Sequence, residues 1–452
     1  MTGQIAAIIL AAGKGTRMQS DTHKVLHPIA GRPMLLHLID GVAALNPART
    51  IVVVGAGREQ VEAAVQPHGA ETVAQTEQLG TGHAVRMAED ALAGFDGDVL
   101  ILYGDVPLVT TATMQRMLER LHAGDAPAAV VLGFRPADPG AYGRVIADGE
   151  GRIARMVEYK DATPEERAET LCNSGLMAVA ARDLFALLGR VTNQNAAGEY
   201  YLPDIVMLAI ADGRHCAVIE TDAHEVAGVN SRAELAGLEA VWQAARRARA
   251  MAEGATLIAP ETVWFAHDTV VGRDVTIEQN VVFGPGVRIA DKVTIHAFSH
   301  LEGATVLSGA QIGPYARLRP GTLLEQGSKV GNFVETKNTV LGPGAKANHL
   351  TYLGDAVVGS GANIGAGTIT CNYNGFQKSR TEIGHGAFIG SNSALVAPVR
   401  VGDGAIVAAG SVITQDVEPN ALALGRARQE ARPGWAHRFR EKMKARKAEK
   451  TG

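Results

Sequence analysis

Cysteine is scarce: Cys172, Cys216 and Cys371 are the only three in a chain of 452 residues. They lie far apart, with no disulfide framework and no metal-ligand spacing, which fits a reducing cytoplasmic setting. No apolar run approaches the ~20 residues of a membrane-spanning helix, so a spanning helix is excluded. The run Ile5–Ala12 is too short for a signal peptide and leads straight into a glycine turn. Charge of one sign is not in excess either. A net charge of −4 argues against nucleic acid or an acidic membrane surface as partner. Aromatics make up only 5%, whereas glycine is abundant at 52 residues and concentrated in the second half. The remaining composition is globular, and the length calls for two or three domains.

The stretch Leu10-Ala11-Ala12-Gly13-Lys14-Gly15-Thr16-Arg17-Met18 follows a strand-like run from Ile5 to Leu10. Its glycines let a turn approach a ligand closely, its amides form an anion-binding concavity, and Lys14 and Arg17 add positive charge. It matches neither the Walker loop nor the G-x-G-x-x-G fingerprint. A phosphate cradle and an ordinary strand-to-helix turn both fit. Ile51–Gly55 and Val99–Tyr103 are further strand-like runs, and Gly82–Leu92 between them has helical spacing. This alternation predicts a mostly parallel sheet covered by helices, with ligands at the carboxyl ends of the strands.

Asp105, after the run VLILYG, lies at such an end, either as a Mg2+ ligand or as a turn residue before Pro107. Lys24 is a phosphate contact or a surface lysine. Gln75 and Gly80-Thr81-Gly82 either hold a base edge or start a helix. Tyr142-Gly143-Arg144, Glu158 and Asn173 are polar groups near apolar runs, suited to sugar hydroxyls or to structure.

Ser231 and Glu234 form a capping box opening a helix of about six turns. Leu235, Leu238, Val241, Trp242 and Ala245 give it one apolar face, and Arg246, Arg247 and Arg249 lie near its end. Asn230 before it is a cap residue or, folded back onto the first half, a second metal ligand.

From Val271 an apolar residue recurs at every sixth position: Val271, Ile277, Phe283, Ile289, Ile295, Leu301. The pattern resumes at Ile312, Leu318, Leu324 and Val330, at Leu341, Ala347 and Leu353, and from Ile383 to Ile413. Neither a helix nor a flat strand has period six. Three short strands per coil with small corner residues do, so residues 255–420 are expected to form a parallel β-helix. The period breaks between Ile369 and Ile383, where CNYNGFQKSRTE must loop out. His349, near a corner and beside Tyr352, is a general base or a plain surface histidine. Arg319 and Lys337 suit an anionic substrate. The tail REKMKARKAEK is strongly basic.

LAAGKGTRM, QLGTGHA, YGDVPL, EYY, GVN, RLRPG, VGNFVE, HLTYLGD and NIGAGTITCNY occur here in one order over almost the whole chain. Together they resemble the bacterial bifunctional N-acetylglucosamine-1-phosphate uridylyltransferases/glucosamine-1-phosphate acetyltransferases. LAAGKGTRM alone marks only a sugar-phosphate nucleotidylyltransferase, whereas HLTYLGD followed by NIGAGTITCNY is specific. The resemblance implies an α/β fold with a Rossmann-like nucleotidylyltransferase domain (1–230), a linker helix (231–252) and a left-handed parallel β-helix acetyltransferase domain with tail (253–452). It implies a homotrimer with the acetyltransferase site between β-helices.

The resemblance also implies that acetyl-CoA acetylates glucosamine-1-phosphate. UTP then gives UDP-N-acetylglucosamine and pyrophosphate, feeding peptidoglycan and lipopolysaccharide synthesis. By the same resemblance Arg17 and Lys24 stabilise phosphates, and Asp105 and Asn230 hold Mg2+. Leu10, Ala11, Ala12, Gly13, Gln75, Gly80 and Thr81 bind the nucleotide. Tyr103, Gly104, Gly143, Glu158 and Asn173 line the nucleotide-sugar site. His349 matches the base of acetyl transfer. Arg319, Lys337, Tyr352 and Asn363 match the amino-sugar phosphate site, and Asn372 and Tyr373 the transfer centre. Ala366, Ser391, Ala409 and Arg426 match acetyl-CoA positions.

Two departures stand out: His23 where relatives commonly have proline, and Asn374 where many have aspartate. A single-activity nucleotidylyltransferase with an oligomerising β-helix is disfavoured by His349 and the intact NIGAGTITCNY. A non-catalytic scaffold is disfavoured by Arg17, Lys24, Asp105 and Asn230.

Overall fold

The computed structural model describes residues 4–13 and 15–451, without the side chains of 450 and 451. Lys14 lies outside the described residues. The chain divides into two compact units. One runs to Arg249 and includes Phe265–His267; the other comprises Ala250–Trp264 and the chain from Asp268.

The first unit is built on a nine-stranded sheet. Its strands are β1 (Ile5–Ala11), β2 (Arg49–Val54), β3 (Glu71–Ala74), β4 (Asp98–Tyr103), β5 (Ala129–Phe134), β6 (Arg144–Ala147), β7 (Ile153–Val157), β8 (Cys172–Ala180) and β9 (Ala217–Thr221). The order is β9-β5-β8-β4-β1-β2-β3, with the β6–β7 pair joined to β8. β1 is buried along its whole length, as a parallel strand covered on both faces must be. It runs parallel to β2 and β4, and only β8 crosses the main sheet antiparallel. The ends of β1, β2, β3 and β4 therefore present Ala12-Gly13, Gly55, Gln75 and Gly104-Asp105 on one edge.

Two local expectations change. The glycine turn leads into a single 3-10 turn, Thr16–Met18, flanked by left-handed Gly15 and Gln19, and the first α-helix begins only at Met34. The helical pattern from Gly82 is a short helix, Thr81–Arg86, followed by a separate turn at Asp90–Leu92.

The long helix Arg232–Ala252 opens on the expected box: Ser231 Oγ accepts from Glu234 N, and Glu234 Oε2 accepts from Ser231 N. Leu238 packs with Met18, Ile29, Met34 and Val229, and Leu235 and Trp242 flank that cluster. Ala245, counted on the apolar face, is exposed, and Gln243 is buried instead. Its amide exchanges two hydrogen bonds with the Phe265 backbone at 2.7 and 2.9 Å, which satisfies a polar group that burial would otherwise penalise.

The second unit is a stack of short parallel strands in three ladders. One runs Ile277, Ile295, Ile312, Val330, Ala347, Ile364, Ile389, Val407. The others include Phe283, Leu301, Leu318, Thr336, Leu353 and Val271, Ile289, Val306, Leu324, Leu341, Val358. Every apolar position of the six-residue pattern lies on one of these ladders. The structure adds members the pattern skipped, because a corner one residue shorter shifts its phase and because threonine replaces an apolar residue. Other buried threonines, two residues before a ladder position, hold the backbone: Thr339 Oγ1 donates to Lys337 O at 2.9 Å and Thr351 Oγ1 to His349 O at 2.7 Å. The interrupted coil loops out between strands Ile369–Cys371 and Thr381–Ile383. Not every corner is small. Phe298, Tyr315, Phe333 and Leu350 occupy one corner row in left-handed backbone conformation.

Two candidate active sites

At the sheet edge, Asp105 and Asn230 converge on Lys24, whose Nζ lies 2.5 Å from Asp105 Oδ2 and 3.2 Å from Asn230 Oδ1. The Lys24 and Asp105 side chains are only 12% and 19% exposed, so the pair is largely desolvated. Three elements bring it about. Val229 N donates to Asp105 O at 3.0 Å, which draws Asn230 alongside. Glu234 Oε2 accepts from Asn230 N at 2.6 Å. Gly15 leaves room for Lys24, since a Cβ there would lie 2.6 Å from Lys24 Cβ.

Leu10, Ala11, Ala12, Gly13, Lys24, Gln75, Gly80, Thr81, Tyr103 and Asp105 line one cleft, which Gln78 and Glu199 also enter. Gln75 is buried and donates to Gly80 O at 3.1 Å. Gly80 has φ +111°, and a Cβ would meet Tyr200 O at 2.6 Å, so no other residue fits this turn. Burial keeps the Tyr103 phenol neutral well above its ordinary range, with Thr81 as its hydrogen-bond partner. Arg17 is exposed on the 3-10 turn. Gly104 N donates to Leu10 O, which ties β4 to the loop.

Gly143, Glu158 and Asn173 line a second cleft with Asp161, Tyr201 and Asp204. The β8 register shifts after Asn173, and such bulges re-aim side chains. Burial, then the charges of Asp204 and Asp161, push the Glu158 carboxyl above its ordinary range. Arg144 is buried and donates to the carbonyls of Gly140 and Tyr142, which fixes the loop carrying Gly143. Sequence reasoning singled out none of Gln78, Asp161, Tyr201 and Asp204. Gln78 and Tyr201 stand inside the motifs QLGTGHA and EYY, whereas Asp161 and Asp204 carry no motif.

His23 has φ −57°, a proline-like value. Its backbone N–H donates to Gln60 Oε1 at 2.9 Å, a bond proline cannot make.

In the β-helix, Asn332 and His349 are register partners at a corner. Ala366 and Ser391 follow on later coils of the same corner: Asn392 N bonds Ala366 O, and Gly410 N bonds Ser391 O. Arg426 Nη1 donates to Ala409 O at 2.6 Å. His349, Ala366, Ser391, Ala409 and Arg426 thus form one row spanning four coil steps, about 19 Å at ~4.8 Å per step.

Arg319, Lys337 and Tyr352 stand on the strand face after this corner, whereas Asn363 lies on the face before it, paired with Lys346 and Phe388. Arg319 Nη1 lies 2.8 Å from Glu335 Oε1. Lys378, on the looped-out segment, and then Arg319 push the Lys337 ammonium below its ordinary range, the mark of a cluster that favours an anion. Asp355 accepts from Asn372 Nδ2 at 2.5 Å and from Asn338 Nδ2 at 2.6 Å, which pins the base of the loop. Tyr373 is exposed, its hydroxyl donating to Gly375 O. Asn374 Oδ1 accepts from Phe376 N and Gln377 N at 3.0 and 2.8 Å, a turn that aspartate closes equally well. Lys378 carried no motif and Asp355 closes HLTYLGD without having been assigned a role, whereas Asn332 stands one coil before His349 and is legible from the period.

A cleft walled by the glycine turn at the strand ends of a mostly parallel sheet, in one chain with a β-helix of six-residue repeats, is the organisation of a nucleotidyltransferase fused to an acyltransferase. Residues 7–199 match the model of the MobA-like NTP transferase domain, and residues 268–303 and 380–415 match that of the bacterial transferase hexapeptide (six repeats). Proteins named bifunctional protein GlmU are similar over nearly their full length. That of Rhizorhabdus wittichii is 69% identical, with 98% of each chain covered, and that of Sphingopyxis alaskensis 67%, with 99% of each. That of Zymomonas mobilis is 58% identical over 97% of this chain and 98% of its own. The chain belongs to the bifunctional GlmU family, and it is a bifunctional transferase.

Proposed function

We propose that the two sites carry out successive steps of UDP-N-acetylglucosamine synthesis. The observation that carries the first is the convergence of Asp105 and Asn230 on one cationic atom beside the glycine turn. These are hard oxygens already arranged around a positive charge, so they suit Mg2+ completed by phosphates and water. When bound, Mg2+ supplies charge neutralisation on phosphate oxygens. An oxygen of N-acetylglucosamine-1-phosphate attacks the α-phosphorus of UTP. A P–O bond forms there as the bond to the β-phosphate's bridging oxygen breaks, and pyrophosphate leaves. Catalysis is alignment and countercharge, supplied by Lys24 and Arg17, with no protein nucleophile. Gln75, Gly80 and Thr81 hold the nucleotide. Glu158, Asn173 and Gly143 hold the sugar.

At the second site His349 removes a proton from the ammonium of glucosamine-1-phosphate, because a protonated amine has no lone pair to attack with. The nitrogen attacks the thioester carbonyl of acetyl-CoA, the C–S bond breaks, and the proton that the nitrogen sheds on becoming an amide balances the one the departing thiolate takes up to leave as the free thiol. Arg319, Lys337 and Lys378 receive the phosphate. The row from Ala366 to Arg426 receives acetyl-CoA, with Asn363, Tyr352, Asn372 and Tyr373 around the transfer centre. The assembly is a homotrimer. Supporting this is the exposed row Phe298, Tyr315, Phe333 and Leu350, 46–61% accessible beside the His349 corner, which a second copy would cover.

One preparation should release thiol from acetyl-CoA with glucosamine-1-phosphate, and pyrophosphate from UTP with N-acetylglucosamine-1-phosphate. His349→Ala should abolish the first and spare the second. A folded wild type that releases no thiol overturns the acetyltransferase assignment, and loss of both activities in a folded variant overturns independent sites.

A further inference from the structure

The imidazole of His349 has a partner that no role described so far uses. Its Nδ1 lies 2.6 Å from Asn332 Oδ1. The strands Lys329–Asn332 and Lys346–His349 pair in parallel with Asn332 opposite His349, so the coil repeat itself sets the contact. Gly331 permits it, since any Cβ there would collide with the Asn348 carbonyl of the next coil. The main chain is held as well, by Thr351 Oγ1 on His349 O.

We infer that Asn332 is a positioning residue for acetyl transfer. An amide oxygen can only accept, so Nδ1 carries the proton and the lone pair is confined to Nε2. The bond also fixes the ring plane, so Nε2 faces one direction from an otherwise exposed side chain. The choice of an amide has a consequence. Lys329 and Lys346 line the groove that His349 and Asn332 share and oppose a further positive charge there, while His296, also on the groove, is paired through Nδ1 with Glu278 Oε1 at 2.9 Å. A carboxylate at 332 would offset the two lysines and favour a proton on the ring; the neutral amide orients the ring without doing so. The inference rests on His349 being the base.

The test uses the full-length protein and follows thiol release from pH 5.5 to 9. Asn332→Ala should lower kcat by about 10–100-fold, with KM for both substrates within about twofold, because ring orientation and not binding is lost. Asn332→Asp should keep a high rate at alkaline pH but move the acid limb of the profile upward by about one pH unit or more. A merely structural residue would not move that limb.

Wild-type kcat in Asn332→Ala overturns the inference, and so does an unmoved limb in Asn332→Asp. Where the alanine variant does not fold, the aspartate variant decides. His349→Ala separates the two readings. If it still transfers acetyl, the base is misassigned and the inference falls with it. If it is inactive while both Asn332 variants behave as wild type, only the inference fails.

Discussion

The two units solve one problem in opposite ways. In the sheet unit, Lys24, Asp105 and Asn230 are separated by 81 and 206 residues from Lys24, and only the parallel topology brings them to one edge. In the β-helix, Asn332 and His349 are 17 residues apart, one turn of the coil, and the repeat aligns them automatically. The first site is sensitive to each distant contributor. The second is a row, each member supported from the coils above and below. The difference predicts where single substitutions do most harm.

The largest effect should come from Asp105→Asn. It keeps shape and a neutral oxygen but removes the charge around which the sheet-edge site closes. Uridylyl transfer should fall by about 10²–10³-fold, the usual cost of removing one preorganised electrostatic group. Thiol release should be unaffected. Pyrophosphate release within tenfold of wild type would break the comparison, since the site would then tolerate loss of its hub.

A smaller effect sharpens it. Lys24 Nζ holds the place between Asp105 and Asn230 that suits a divalent cation, and like charges a few ångströms apart repel. Lys24→Met should therefore bind Mn2+, without nucleotide, about tenfold more tightly than wild type, even as uridylyl transfer collapses. Paramagnetic resonance of free Mn2+ measures this. Equal or weaker binding in the variant would mean that the ammonium organises the oxygens more than it excludes a cation.

Legibility followed the same division. The β-helix was readable because period six has no other local explanation, and Ile277 or Leu318 announces its ladder without help. It failed at Thr336, where a hydroxyl bonded to Thr322 Oγ1 at 3.0 Å substitutes for an apolar side chain. In the sheet unit, strands such as Ile5–Ala11 were legible from their unbroken apolar runs. Their order was not, because pairing is long-range. Gln243 and Ala245 exchanged places because a fully bonded amide packs where the pattern allows only apolar residues. Asp105 and Asn230 were each ambiguous in sequence. Resemblance joined them, and the hydrogen bond from Val229 to Asp105 gives the physical reason. Lys378 had no signal, and Asp355 had a motif, HLTYLGD, but no legible role, since both act through groups that meet only in the fold.

The clefts also hold opposite charge clusters, and this gives the smallest effect. Lys337 is surrounded by Lys378 and Arg319, so its ammonium is held below the ordinary lysine range and is relieved by an anion. Glu158 is the mirror case: burial, then Asp204 and Asp161, hold its carboxyl above the ordinary range. The folded state therefore binds this proton more tightly than the unfolded chain does. Stability from this group is full below the unfolded value and declines as pH rises through the raised one. Glu158→Gln removes the titration. Its unfolding temperature should match wild type at acid pH and exceed it by about 2–4 °C at pH 7–8, a modest shift for a unit of this size. Thermal unfolding of both proteins across pH 4–8 at constant salt measures the gap. A gap that widens toward acid would reverse the sign, and would show that Glu158 is stabilised as a carboxylate by partners in the cleft and not strained by its acidic neighbours.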